Sequence, residues 1–464
     1  RSIIAGAQRC VNLFAEKNPE GAPVQFTYYP TPGLVLLAAP PTAGAGRGLY
    51  RASNGVVYAV VGRYLYALSS AWGWTLLGSL NANLTTPVTI ADNGINMLIA
   101  DGTGDGYLVT LLTGAFTQIV QAGWYGADRV DFLDTFLLAN KPGTGEFYST
   151  LSNSTVFDPL YFATKIGYAD PLVAVAVIHR EIWLIGRDTT EIWVNSGGAA
   201  FPFEIMNGAF IQHGCAAKYS VATMGDTVFW LSQDKNGGGV VMAGSGYQAK
   251  AISSFAVSFA ISGYEVTSDA VGWCFQKEQH QFYVLTFPTA DRTWVYDLST
   301  AQWHEWLWGD DDGVEHRHRA QCHAAGYGQN LVLDWQTGDL YALDMDAYTD
   351  AGAPIVHRRG FPHMLMDGQR IAYRQFIADM EVGRSKGTLL TENDPRVFLR
   401  WSDDRGASWG NPISAGLGTS GEYLQNVQFQ RLGFARDRVF ELFWSSPVKT
   451  ALNGAFCDYH VMKS

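Results

Sequence analysis

The chain has 464 residues, of which 47% are hydrophobic and only 16% charged, with 50 glycines, 15 Trp, 22 Tyr and 25 Phe; this turn-rich, aromatic composition excludes disordered and collagen-like chains. With 32 basic and 43 acidic residues the net charge is −11, which argues against a dedicated nucleic-acid binder but permits an acidic wall that DNA slides past without sticking. There is no apolar run of about 18 residues, so no membrane span is expected.

Five widely spaced cysteines (Cys10, Cys215, Cys274, Cys322, Cys457) form no CxxC pair and read as free thiols of a reducing cytoplasm. The opening Arg1-Ser2-Ile3-Ile4 has neither an initiator Met nor a signal-peptide layout, so the numbering is expected to begin inside the gene product. The sequons at Asn83 and Asn153 are read as chance matches.

Residues 1–45 read as a preamble. An extended Gln25–Tyr29 runs into Pro30-Thr31-Pro32-Gly33, which can continue neither a helix nor a central strand. Ala39–Gly48, rich in Pro, Gly and Ala, resembles a linker.

From Gly48 a hairpin pattern begins and recurs. Its clearest form is Arg180–Gly198, REIWLIGRDTTEIWVNSGG, in which two runs of Ile, Trp, Leu and Val flank a polar Gly186–Thr190 turn. The apolar residues are nearly continuous, as expected of a sheet covered on both faces. Similar pairs are Val56–Val61 with Tyr64–Leu68, Met97–Ala100 with Tyr107–Leu111, and Phe136–Ala139 with Phe147–Ser149. Val228–Leu231 with Gly239–Met242, Phe282–Phe287 with Thr293–Tyr296, and Leu331–Trp335 with Leu340–Leu343 complete the series.

The turn centres, near 62, 104, 143, 186, 237, 289 and 338, are 42, 39, 43, 51, 52 and 49 residues apart. A four-stranded propeller blade takes roughly 40–50 residues. A small sheet that is apolar on both faces needs neighbours on both sides, and radial stacking supplies them while closing the ring. The reading is an all-β chain with a β-propeller over 46–348, of seven blades or six, in preference to stacked sandwiches. Ile252, Phe255, Ala256, Phe259 and Ala260 fit one helical face, capped by Ser253 or Ser254 and expected to pack on the propeller rim.

Beyond Tyr348 the rhythm stops. His357–Arg359, Ile371–Val382, Val397–Trp401, Leu424–Phe429 and Arg438–Trp444 read as longer strands, with a polar loop at Gly383–Pro395. A second, β-rich platform domain is expected from residues 1–45 together with 349–464, with a strand near Phe26 pairing there.

Ser402-Asp403-Asp404-Arg405-Gly406-Ala407-Ser408-Trp409 fits the Asp-box pattern S-x-D-x-G-x-[ST]-W. Ser402, Asp404, Gly406, Ser408 and Trp409 are assigned a structural turn, in which carboxylate and hydroxyls bond backbone while the indole packs beneath. His316, His318, Cys322 and His323 lie near Asp310-Asp311-Asp312. On a strand His316 and His318 would share a face, but the spacing matches no zinc or calcium loop, so a polar loop followed by a strand is favoured. Gly102–Gly106 carries an acid where a phosphate site would need a base. Asp131 and Asp134 have the composition of a glycosidase pair, with surface solvation the preferred reading. No nucleophile elbow, P-loop, metalloprotease helix or dinucleotide fingerprint occurs. No catalytic residue, cofactor or metal is assigned.

Several phrases carry a resemblance. They are Asn18-Pro19-Glu20-Gly21 with Tyr29–Gly33, Lys141-Pro142-Gly143-Thr144-Gly145, Gly208–Cys215 (GAFIQHGC), Tyr283–Ala290 (YVLTFPTA) and Arg431–Glu441 (RLGFARDRVFE). Together, and in this order, they resemble the packaged-DNA stabilisation proteins, or tail hub and nozzle proteins, of short-tailed bacteriophages (podovirus tail accessory factors). The family's first few residues have no counterpart here. The resemblance implies a structural, non-enzymatic virion protein of the tail. It also implies a homohexameric ring that extends the DNA exit channel below the portal and head–tail adaptor, anchors tail fibres or spikes, and is closed by a needle or plug. Genomic DNA would pass through the lumen without sequence-specific binding, and no membrane partner is implied. The alternatives are a propeller glycosidase or depolymerase of host polysaccharide, which would carry further Asp boxes and an arginine-and-acid cluster, and a receptor-binding adhesin.

Overall fold

The computed structural model describes residues 9–462 except 82–83, 199, 234–236, 311, 383–393, 419–420 and 423–425. The chain forms two compact units: Leu36–Thr293 with His318–Ala342, and Arg1–Val35 with Trp294–Arg317 and Leu343–Ser464. The second unit thus includes Trp294–Arg317, a stretch inside the range read as propeller.

In the first unit the sequence makes four-stranded antiparallel meanders. Blade one is Gly46–Arg51, Val57–Val61, Tyr64–Leu68 and Trp74–Ser79. Blade two is Thr89–Asp92, Asn96–Ala100, Gly106–Thr110 and Phe116–Gln118, and blade three is Val130–Leu133, Phe136–Asn140, Glu146–Thr150 and Phe157–Thr164. Blade four is Leu172–Ile178, Glu181–Gly186, Thr190–Asn195 and Phe203–Ile211, and blade five is Ala222–Met224, Thr227–Gln233, Gly239–Ser245 and Gln248–Ala251. Val271–Lys277 pairs with His280–Phe287 in the sixth blade, and Ala320–Gly326 with Gln329–Asp334 in the seventh. Each innermost strand neighbours the next, and Ala320–Gly326 returns to Gly46–Arg51, so the ring closes with seven blades.

The two middle strands of each blade carry most of the apolar surface. Val57–Val61 and Asn96–Ala100 are almost wholly buried, and in Glu181–Gly186 only Glu181 is partly exposed. Their side chains interlock with the neighbouring blade: Val60 and Leu65 of blade one share a cluster with Met97, Ile99, Tyr107 and Val109 of blade two. Trp183 of blade four meets Trp230 of blade five edge-on, ring centroids 6.4 Å apart, a contact worth about 0.5–1.5 kcal/mol beyond area burial. Gly244 makes room for it, because a Cβ there would lie 2.7 Å from the Trp183 ring and 2.8 Å from that of Trp230.

The helix Phe255–Ser262 is capped by Ser254, whose hydroxyl accepts from the Val257 amide. The expected face is corrected here. Phe255 and Phe259 are 81% and 56% exposed, whereas Val257 and Ile261 are buried. Both pairs have four-residue spacing in a helix whose only polar residues are Ser258 and Ser262, so periodicity could not choose between them.

The second unit is a β-sandwich. One sheet runs Cys10–Val11, His357–Gly360, Asp437–Trp444, Arg396–Ser402, Ile413–Gly416. The other runs Leu13–Lys17, Phe26–Pro30, Leu452–Val461, Ile371–Met380, Val427–Gln430. Tyr28 pairs with Leu452, so the early strand near Phe26 joins the late chain. Leu13, Phe376, Leu399, Phe429, Leu442 and Trp444 share the core between the sheets. Among the described residues no helix is long and apolar enough to cross a membrane.

Candidate functional site

Propellers commonly function at the axis, where the innermost strands converge. Here the axis holds a cavity of about 330 Å³ lined from the inner strands of six blades, including Arg47, Thr89, Arg129, Thr223, Trp273, Gln321 and His323. The inner strands approach closely because Gly272 has no side chain; a Cβ there would lie 2.3 Å from the Ser220 carbonyl oxygen. That carbonyl accepts the Tyr283 hydroxyl at 2.8 Å.

Two arginines border the cavity, and its lining contains no carboxylate. Arg47 is fully buried and donates to the carbonyls of Thr86, Gly62 and Asp101 at 2.7, 3.0 and 3.3 Å. Arg129 donates through Nη1 to the carbonyls of Val221 (2.8 Å) and Lys218 (3.4 Å). Its Nε is buried without an acceptor. Burial lowers the pKa of both guanidinium groups. The His323 ring stacks on Trp273 at 5.4 Å and shares a 2.9 Å hydrogen bond with Asn330. Burial pushes this histidine down to about 4, leaving it neutral, and pushes the adjacent Cys322 thiol up to about 12.

The residues singled out in the sequence do not converge. Asp131 is half-buried and bonded, not surface-solvated; its carboxylate accepts the Phe132 and Val177 amides at 2.8 and 2.7 Å, and desolvation raises it to about 6. Asp134 is bound by Arg180 (2.8 Å) and Asn195 (2.7 Å), which lower its pKa. Each carboxylate is therefore committed to its own structural partners.

His316 contacts Asp310 at 3.2 Å. His318 is buried, accepts the Ala320 amide through Nδ1, and is pushed down to about 3 by burial and Arg319. Among the described residues no three His, Cys, Asp or Glu side chains are grouped to hold a metal. In the Gly102–Gly106 turn, Asp101 Oδ1 accepts from the Thr103 amide and hydroxyl.

In the sandwich, Ser402 Oγ donates to Asp404 Oδ1 at 2.6 Å and accepts the Gly406 amide at 2.7 Å. The Asp404 carboxylate accepts the Ser408 amide (2.8 Å) and hydroxyl (2.5 Å). These bonds hold Asp404 down at about 2. The Arg400 guanidinium lies 4.8 Å from the Trp409 ring centroid.

Sequence reasoning missed a polar clamp within the propeller. The segment linking blades three and four is pinned by Lys165, which bonds Asp170 and Thr189, all three nearly or fully buried. Asp170 also accepts the Asp188 and Thr189 amides at 2.7 and 3.0 Å. The fully buried Glu191 accepts the Gly167 amide at 2.6 Å and the Trp193 indole at 3.1 Å. The available signal was Glu191 itself, a charge within a run that otherwise reads as buried.

Among solved structures, the chain is similar to a mitotic checkpoint complex chain, at 11% identity and TM-score 0.45 over 71% of this chain and 96% of that one. It is also similar to the WD40 propeller domain of Doa1, at 10% identity and TM-score 0.43 over 67% and 96%. At those scores the fold assignment rests on the closed ring of sheets. No curated protein matches the sequence. Residues 7–348 match the family model described as bacteriophage P22 Gp10, beta-propeller, and residues 357–459 match its companion, bacteriophage P22 Gp10, beta-sandwich. Matched in both halves, the chain belongs to the bacteriophage P22 Gp10 family, a phage structural family associated with stabilisation of packaged DNA.

Proposed function

We propose that this chain is a non-enzymatic, ring-forming subunit of the tail hub or nozzle. Six copies extend the DNA exit channel below the portal and adaptor, retain packaged DNA, and anchor tail fibres or spikes. A needle or plug closes the channel below, and assembly takes place in the host cytoplasm. In this reading the sandwich contacts the adaptor ring and the propeller points outward or down. The observation that carries the proposal is the family match in both the propeller and sandwich halves.

The physical character of the chain supports it. A closed ring of interlocked blades is stiff, as a wall element must be, and a net charge of −11 suits a surface that DNA passes without adhering. Asp131 and Asp134, the carboxylates with glycosidase composition, are each occupied by structural bonds.

The test is the mass of the assembled protein together with an image of the particle. Six copies coaxial with the portal are expected. Monomers or trimers at the tail periphery, or turnover of host surface glycan by the purified chain, would overturn the reading, and an image with the propeller toward the adaptor would overturn the orientation.

A further inference from the structure

We propose that copies of this chain meet head to tail through their sandwiches. The acidic hairpin Leu307–Arg317 of one copy seats on an arginine surface at the far end of the next copy's sandwich. This contact rests on the ring-forming reading and supplies that ring with named residues.

The accepting surface lies at the start of the strand Ile371–Met380. Ile371 pairs with Ala435 and Ala372 with Phe434, so Arg370 and Arg436 come side by side one step beyond. Further along, Arg431 donates its amide to the Arg374 carbonyl at 3.2 Å. All four arginines are exposed, and among the described residues none forms an ion pair with a carboxylate. Asp437 is taken by His363 and Arg405, and Asp403 by Arg438; the exposed Asp367 and Asp458 leave the four bases in excess. Like charges facing across paired strands weaken a sheet, and an anionic neighbour offsets that cost. The surface is apolar as well. Phe434, with the Arg370 guanidinium 4.9 Å from its ring centroid, is 56% exposed, and Leu365 and Met462 are exposed beside it. Arginine, methionine and aromatic residues together are enriched at protein interfaces, which favours a protein over a nucleic-acid backbone as the occupant.

The matching surface is on the same unit. Leu307–Gly309 pairs with Glu315–Arg317 in a two-stranded hairpin whose turn reads Asp310-Asp311-Asp312-Gly313-Val314. The Asp310 carboxylate accepts the Val314 amide at 2.7 Å and closes the turn, leaving Asp312 and Val314 exposed. Acid beside an exposed valine complements arginine beside Phe434 and Leu365. The two surfaces sit at opposite ends of the strand Asp437–Trp444. Leu365 pairs with Asp437, whereas the hairpin lines a cavity of about 280 Å³ with Arg358 and Ser445. Eight residues of strand hold them about 25 Å apart, so one copy does not close the contact on itself. Two unlike, complementary surfaces on one subunit are what a cyclic ring requires.

The experiment is sedimentation of the full chain at low and high sodium chloride. The unaltered chain is expected to associate, and salt should weaken the association. Arg370→Glu with Arg374→Glu reverses the accepting surface, and Asp312→Lys with Val314→Lys reverses the hairpin. Each double variant alone should associate about tenfold more weakly or worse. An equimolar mixture should regain the association, because reversed hairpins then meet reversed surfaces. No association of the unaltered chain, association insensitive to salt, or a mixture no better than its parts overturns the contact. Binding of a duplex oligonucleotide that the arginine variant loses, with self-association intact, assigns the surface to nucleic acid and also overturns it. Should a charge variant not fold, Phe434→Ser and Val314→Ser are each expected to weaken association, and unchanged association overturns the contact. A normal six-copy ring in particles built from the arginine variant rejects this contact and leaves the ring reading standing, whereas particles of the unaltered chain without a ring reject both.

Discussion

The propeller and the sandwich each bury a cation, and they do so in different ways. In the propeller, Lys165 is sealed from water with Asp170 and Thr189. In the sandwich, Arg438 is also buried, but its bidentate partner Asp403 is 46% exposed (bonds of 2.6 and 2.7 Å). Arg438 lies 4.5 Å from the Tyr373 ring centroid and 5.1 Å from that of Trp401. A sealed pair has no solvent to fall back on, so losing one member strands the other. A stacked guanidinium with a solvated partner loses aromatic contact and two bonds, but leaves its carboxylate in water. The propeller uses its buried charge to pin the link between consecutive blades, whereas the sandwich uses charge to extend an aromatic core.

That difference is sharpest under truncation. Lys165→Met should leave Asp170 buried without its cation and cost about 3–5 kcal/mol, read as a lowered denaturation midpoint with unchanged slope. Arg438→Met should cost less, about 1–3 kcal/mol, by the same measurement. Equal losses would mean that the Lys165 pair is not sealed from water.

Acid is a second probe, because both units bury neutral histidines. His357 in the sandwich donates through Nδ1 to the Asn12 carbonyl at 2.8 Å, and burial pushes it down to about 4. In the propeller His323 is also pushed down to about 4, and His318 to about 3. With folded values below the unfolded 6.5, the unfolded chain binds more protons as pH falls from 6.5 toward 4. Each histidine should therefore remove stability in that window, at up to about 1.4 kcal/mol per pH unit. Denaturation midpoints between pH 7 and 4 check this, and His357→Gln should flatten the decline.

How much of this was legible follows the same division. The middle hairpins of the blades were readable because their apolar runs and Gly-containing turns are local and repeat. Inner strands such as Gly46–Arg51 (GRGLYR) and Thr89–Asp92 (TIAD) carry no such pattern; closure of the ring, not propensity, makes them strands. The sandwich pairs Tyr28 with Leu452 and Cys10 with Arg359, partners that no local period can connect.

The smallest effect expected lies at the Asp box. Asp404 is held near 2 by the Ser402 and Ser408 hydroxyls and the Ser408 amide, yet the carboxylate stands in water, so its loss should be felt locally and not across the sandwich. Its folded value is below the unfolded one, so its contribution is complete above about pH 4 and lost as pH falls through 2. Asp404→Asn keeps the shape but weakens three charge-assisted bonds. Hydrogen exchange at the Ser408 amide should then accelerate, while exchange along Asp437–Trp444, a strand of buried side chains, stays as it was. Acceleration in both places would mean that the turn carries part of the sandwich's global stability, and would remove the distinction between a hairpin lock and a core element.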